Sequence, residues 1–190
     1  MVRAILNKHK TVTRRLVKPM QSRRLTPEGI DRVPHDSPLG WIRCPYGEPG
    51  DRLWAKEAHA IVPCSAYWHD DTIPHRVHVD DQGDRWWSVY REGWERTAPG
   101  RWRPSIHMPR WASRITLEID DVRGERLHEI TEADAEREGA QRQVIDCAAG
   151  WPRLPSYRVG FAKLWESIHG SASWAANPWV WRVEFRMVEA

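Results

Sequence analysis

Phenylalanine is almost missing from this chain. There are two, against 13 tryptophans, so large aromatic surface comes nearly always with an indole N–H. Cysteine is scarce as well. Cys44, Cys64 and Cys147 are odd in number and far apart, which excludes a disulfide framework and points to reduced thiols in a cytosol. No apolar run approaches the ~18 residues of a helical membrane span, and the N-terminus lacks a signal-peptide pattern. No CxxC pair, HExxH or tight Cys/His cluster is present. His75 and His78, or Cys44 with Cys64, match a metal centre only in residue type, so neither a metal nor a cofactor is expected. A glycine-rich phosphate loop is missing, as are internal repeats and low-complexity tracts. Acid is missing in two places. The first carboxylate is Glu28, after Arg3, Lys8, Lys10, Arg14, Arg15, Lys18, Arg23 and Arg24, and residues 101 to 114 hold four arginines and no acid.

What remains is an ordinary globular composition, 41% hydrophobic and 29% charged, over 190 residues. That length favours one domain with long loops. Net charge is +3, a mild lean towards anionic partners. Acids concentrate between Asp120 and Glu138, so a basic face and an acidic face are expected. Trp68, Trp86, Trp87, Trp94, Trp102 and Trp111 crowd one third of the chain. Indoles brace cores and long loops or stack on bases. Trp102 and Trp111, set among arginines, are open to either role.

Val2, Ile5 and Leu6 have helical spacing and predict a short amphipathic helix running into a strand over Lys10–Arg15. Residues 18–46 carry five prolines and two glycines and read as an irregular excursion with little regular structure. Gly47–Asp51 predicts a turn into a strand over 52–57. Residues 61 to 84 look like loop, Trp86–Tyr90 a short strand, and Gly93–Pro109 a basic, Trp-bearing loop. Ile115, Leu117 and Ile119 alternate with Arg114, Thr116 and Glu118, a half-buried strand. Thr131-Glu132-Ala133-Asp134 opens a capped helix that ends at Gly139. Phe161, Leu164, Trp165 and Ile168 mark the buried stripe of a second helix ending at Gly170. In the last segment Trp179, Trp181, Val183, Phe185 and Met187 form one buried face, opposite Val180, Arg182, Glu184 and Arg186. The order predicts an α+β fold, a small curved sheet or barrel with helices at its rim and no βαβ alternation.

The segment Lys10-Thr11-Val12-Thr13-Arg14-Arg15 draws attention chemically. Its cations must find anions in the fold or in a ligand. A primary amine over a hydroxyl, with guanidiniums alongside, suits nucleophilic catalysis. A charged edge strand that resists aggregation explains the same residues.

Four stretches together resemble the ASCH family of PUA-like β-barrels. They are the short helix leading to Lys10–Arg15, Pro49-Gly50-Asp51 entering the strand through Leu53, the strand through Leu117 leading into Ile130–Glu138, and the closing strand ending Val183-Glu184-Phe185. The match covers roughly 1–17, 47–57 and 112–188 of a single domain spanning 1–190. Insertions stand at about 18–46 and 61–111. The wording of Trp102–Trp111 is similar to longer members found in bacteriophages and prophages.

The resemblance implies an N4-acetylcytidine amidohydrolase, a hydrolase that cleaves an acyl group from the exocyclic amine of a modified cytidine. By its motif Lys10 accepts a proton, Thr13 is the nucleophile and Glu138 donates to the departing amine. Arg14, Arg15, Arg103, Arg110, Trp102 and Trp111 are candidates for holding the substrate. Other members bind RNA or act as nucleases, so a non-catalytic reader of RNA or modified nucleic acid, and a nuclease, stay open beside the hydrolase. The expected partner is a modified nucleoside or nucleic acid, RNA before DNA, with no membrane. Neutralising Lys10 near pH 7 needs a pKa drop of about 3 units, roughly 4 kcal/mol. Burial and cationic neighbours act in that direction, and an ionised Glu138 opposes it. On an ideal strand positions 10 and 13 point to opposite faces, so the scheme needs Lys10 off the strand.

Overall fold

The computed structural model describes residues 1–17, 44–67, 72–144 and 155–188. Most of the expected excursion at 18–46 lies outside them, as do Trp68 and Cys147. In chain order the elements are α1 (Val2–Leu6), β1 (Val12–Leu16), β2 (Arg52–Trp54), β3 (His59–Pro63), β4 (His75–Val79), β5 (Arg85–Tyr90), β6 (Thr116–Arg126), α2 (Glu132–Arg137), β7 (Gln143–Val144), β8 (Pro155–Ser156), α3 (Tyr157–His169) and β9 (Trp179–Val188). The fold is mixed α+β, as its alternating segments predict. It divides into two compact units, one essentially 3–51 with 118–186 and the other 52–117. The predicted insertion at 61–111 falls inside the second unit.

In the first unit β1, β9 and β6 lie side by side in that order. β1 and β9 are antiparallel, with Val12 opposite Glu184, Thr13 opposite Val183, Arg14 opposite Arg182 and Arg15 opposite Trp181. Side chains alternate along a strand. One face of the pair therefore carries Val12, Arg14, Arg182 and Glu184, and the other carries Thr13, Trp181 and Val183. Both faces are covered at the centre: Val12, Val180 and Arg182 are buried as fully as Trp181 and Val183. The expectation of one buried face on β9 is thus corrected. The helices pack around Leu127, Ile130, Ala135, Ala140, Phe161, Trp165 and Val180.

α2 starts where its cap chemistry predicts. The Thr131 hydroxyl accepts from the Asp134 N–H at 3.1 Å. It stops at Gly139, whose φ of +80° excludes easy replacement, and a Cβ there would stand 3.3 Å from that of Ala4. α3 is capped by Ser156. Its stripe is narrower than the spacing predicts. Phe161 and Trp165 are buried, whereas Leu164 is 47% and Ile168 67% exposed. The predicted turn at 47–51 forms, with Asp51 carboxylate accepting from Glu48 N–H at 2.8 Å and Gly50 N–H bonded to Ile119 O at 2.8 Å.

In the second unit a three-stranded sheet runs in the order β3-β5-β4, antiparallel throughout. β4 and the end of β3 lie in the stretch 61–84 expected to be loop. The alternation His75-Arg76-Val77-His78-Val79 pairs with Arg85–Val89, and its polar composition hid it. One sheet face forms a core of Ala60, Val62, Trp87 and Val89 with Ile73, braced by Tyr67, Trp94 and Trp102. β2 lies alongside the opening of β6, where Ala55 N–H donates to Ile115 O.

Candidate active site

Most of the first unit's buried charge gathers where α1, β1, β9 and α2 meet. Lys10 follows α1 and precedes β1, just after Lys8 in the left-handed conformation (φ +58°), so strand alternation does not fix its direction. Its ammonium, on a residue only 8% exposed, donates to Glu138 Oε2 at 2.6 Å and to the Glu138 carbonyl at 2.7 Å. Glu138 is buried too. It sits at the C-cap of α2, next to Gly139, where a Cβ would stand 3.3 Å from that of Ala4 and 3.7 Å from that of Lys10. The left-handed φ of +80° at Gly139 is what favours glycine here.

Arg14 lies beside the pair with its side chain fully enclosed. Nε donates to Glu125 Oε1 at 2.7 Å, and its two terminal nitrogens reach Glu138 Oε1 at 3.4 Å and Asp134 Oδ2 at 3.3 Å. Asp134 in turn accepts from Arg182 at 3.1 Å. Arg182 pairs with Glu184, and Glu184 accepts from Arg137 at 2.6 Å. Arg137 Nε closes the circuit on Thr11 Oγ1 at 3.1 Å. Every ion in this circuit meets an opposite charge, the condition for burying it.

These contacts set the protonation preferences. Burial pulls the Lys10 pKa below its ordinary 10.5, and the charges of Arg15 and Arg14 add to that while Glu138 opposes it. Burial alone would raise Asp134, but the Arg182 hydrogen bond and the charges of Arg182 and Arg14 hold its carboxyl below the ordinary value. Glu184 is held down in the same way, by Arg137 and Arg182 against its own burial.

The fold therefore brings Lys10 and Glu138 together. Thr13 is half-buried on the β1 face shared with Trp181 and Val183, opposite the face of Arg14, and the threonine tied into the charged circuit is Thr11. Arg14, a candidate for holding the substrate, gives its donors to the carboxylates of Glu125, Asp134 and Glu138. Arg15 is exposed at the end of β1. Trp102, Arg103, Arg110 and Trp111 belong to the second unit. There Trp102 packs edge-on against Trp94 and Trp111 stacks on His78 at 4.7 Å. Sequence patterns missed Glu125, Asp134, Arg182 and Glu184. The signal for Glu125 and Asp134 was the concentration of acids between 120 and 138, set against the cations of β1 and β9. Among the described residues the Trp181 indole N–H, like that of Trp165, is buried without a hydrogen-bond partner, and it lies on the same face as Thr13.

Among the described residues no three His, Cys, Asp or Glu side chains are grouped to hold a metal ion, and no helix is long and apolar enough to cross a membrane. Comparison with protein-family models, with curated proteins and with solved structures returns no match to this chain.

Proposed function

We propose that the chain is a hydrolase acting on an acylated exocyclic amine of a pyrimidine nucleoside or nucleotide, of the N4-acetylcytidine kind, on a PUA-like domain of the ASCH type. The observation that carries this reading is the buried contact between Lys10 and Glu138, residues 128 apart in sequence, at 2.6 Å. An amine whose pKa burial lowers, touching a carboxyl group, is a proton-carrying pair.

In the proposed cycle Lys10 first passes its proton to Glu138. The neutral amine then takes the Thr13 hydroxyl proton as Oγ1 bonds to the acyl carbon, a transfer that must reach round β1, because Thr13 lies on the face opposite Arg14. The C–N bond breaks as Glu138 returns its proton to the exocyclic nitrogen, leaving cytidine and an acyl-threonine. Water hydrolyses that ester, giving the free acid and restoring the alcohol. Arg14 positions the Glu138 carboxylate and touches no substrate. Support for the alcohol comes from the face it occupies. The buried Trp181 N–H lacks an acceptor there, and a developing acyl oxyanion would supply one.

The test is chromatography of N4-acetylcytidine incubated with purified protein and four variants. Wild type is expected to release cytidine. Thr13→Ala and Lys10→Arg should lose release, the latter because a guanidinium cannot serve as base near neutral pH. Thr11→Ala should retain it. Trp181→Phe should cut turnover by about 10²-fold, the usual cost of one oxyanion donor. Release that survives Thr13→Ala but not Thr11→Ala would move the nucleophile to the charged circuit. Release untouched by Lys10→Arg would overturn the mechanism.

A further inference from the structure

We propose that the second unit carries a binding surface for single-stranded polynucleotide, built from Trp54, Lys56, Arg103 and Arg110 with the exposed Ile106 at its centre. This surface is independent of the hydrolase reading.

The first observation is uncompensated charge. Lys56 Nζ lies 4.9 Å from the centroid of the Trp54 ring, and Arg110 Cζ lies 5.7 Å from the same centroid. The indole attracts each cation, but the two repel one another. The adjacent acid does not relieve them, because Glu57 is buried and gives both carboxylate oxygens to Arg114 at 2.9 Å. From Arg96 to Leu117 the sequence has no acid, and Lys56, Arg101, Arg103 and Arg110 are all exposed. Among the described residues no carboxylate forms an ion pair with any of these four. A line of phosphates provides the missing countercharge.

The second observation is that the cations stand on a fixed loop. His59 and Arg103 exchange backbone hydrogen bonds in both directions, at 3.2 and 2.8 Å, extending the edge of β3. Between its arginines Trp102 turns inward against Trp94 and the core, so Arg101 and Arg103 share the outward side. Met108 is buried, and its sulfur accepts from Glu57 N–H at 3.3 Å. Short 3-10 turns at Ser105–His107 and Arg110–Ala112 complete the loop. Binding therefore orders little that is not already ordered.

The third observation selects the partner. Ile106, in the short turn between Arg103 and Arg110, is 72% exposed. A duplex presents phosphates and keeps its base faces stacked away. A single strand presents phosphates together with apolar base faces, the complement of cations set around the Trp54 ring and an exposed aliphatic side chain.

Fluorescence anisotropy with a labelled 12-nucleotide oligo(U), from 50 to 300 mM KCl, tests this, with a 12-base-pair duplex and heparin as competitors. Wild type should bind the single strand more tightly than the duplex, and affinity should fall with salt. Arg103→Gln with Arg110→Gln should weaken binding about tenfold at low salt. It should also flatten the log K against log salt slope by about 1.4, two contacts at ~0.7 each. Ile106→Ser should reduce the preference for single strand over duplex. Circular dichroism melting verifies that each variant is folded, and if the double variant is not, Lys56→Gln with a slope change of about 0.7 decides. No binding by wild type, equal competition by duplex or heparin, or an unchanged slope in the folded variant would overturn the proposal.

Discussion

Arg14 touches three carboxylates at once, none of them near it in sequence. A cation in a run of cations reads as a ligand contact, because nothing nearby in sequence neutralises it. The neutralising groups come from positions 125, 134 and 138, which only the fold brings near. Removing Arg14 strands these acids in a poorly solvated site. Arg14→Met should therefore cost about 3–5 kcal/mol, measured by urea unfolding, whereas Arg15→Met, on an exposed side chain, should stay within about 0.5 kcal/mol. Equal effects would mean that the circuit around Arg14 is not closed in solution. Lys10 and Glu138 were legible as candidates through their motif. Asp134, Arg182 and Glu184 were visible only as residue types, since charge balance across 50 residues leaves no local pattern.

Elements with a strong local rule followed it. The Thr131 cap, the glycine stop of α2, the turn at 47–51 and the strand β9 all stand where the sequence places them, although β9 buries both faces at its centre. Those that depend on tertiary cover did not. β4 alternates, but with histidine and arginine, so its strand character is hidden in a polar stretch. α3 shows four apolar residues at helical spacing, yet only Phe161 and Trp165 find cover. The two should behave oppositely on substitution. Ile168→Lys should change stability by less than about 0.5 kcal/mol, and Trp165→Ala should cost about 3–5 kcal/mol, both read from urea midpoints. A large loss from Ile168→Lys would show that something covers that side of α3.

For the whole molecule, charge segregation along the chain becomes charge pairing in the first unit, and that makes stability depend on acid. Asp134 and Glu184 have folded pKa values below their ordinary 3.8 and 4.5. Groups shifted downward stabilise the folded state above the ordinary values, and that contribution disappears as pH falls through them towards the lowered folded ones. The melting temperature of the chain should be level above about pH 5 and fall below about pH 4.5. Arg182→Gln should shallow that acid limb, because Arg182 lowers both carboxyls. An acid limb as steep as wild type in this variant would contradict the assignment.

The pair of Lys10 and Glu138 is the centre of the account, and NMR titration of the Lys10 ammonium, in wild type and in Glu138→Gln, tests it most directly. Burial should place the wild-type pKa below 10.5. Loss of the carboxylate that opposes this shift should lower it further. A wild-type value at 10.5 that Glu138→Gln leaves unmoved would mean an amine in open water with no carboxyl partner.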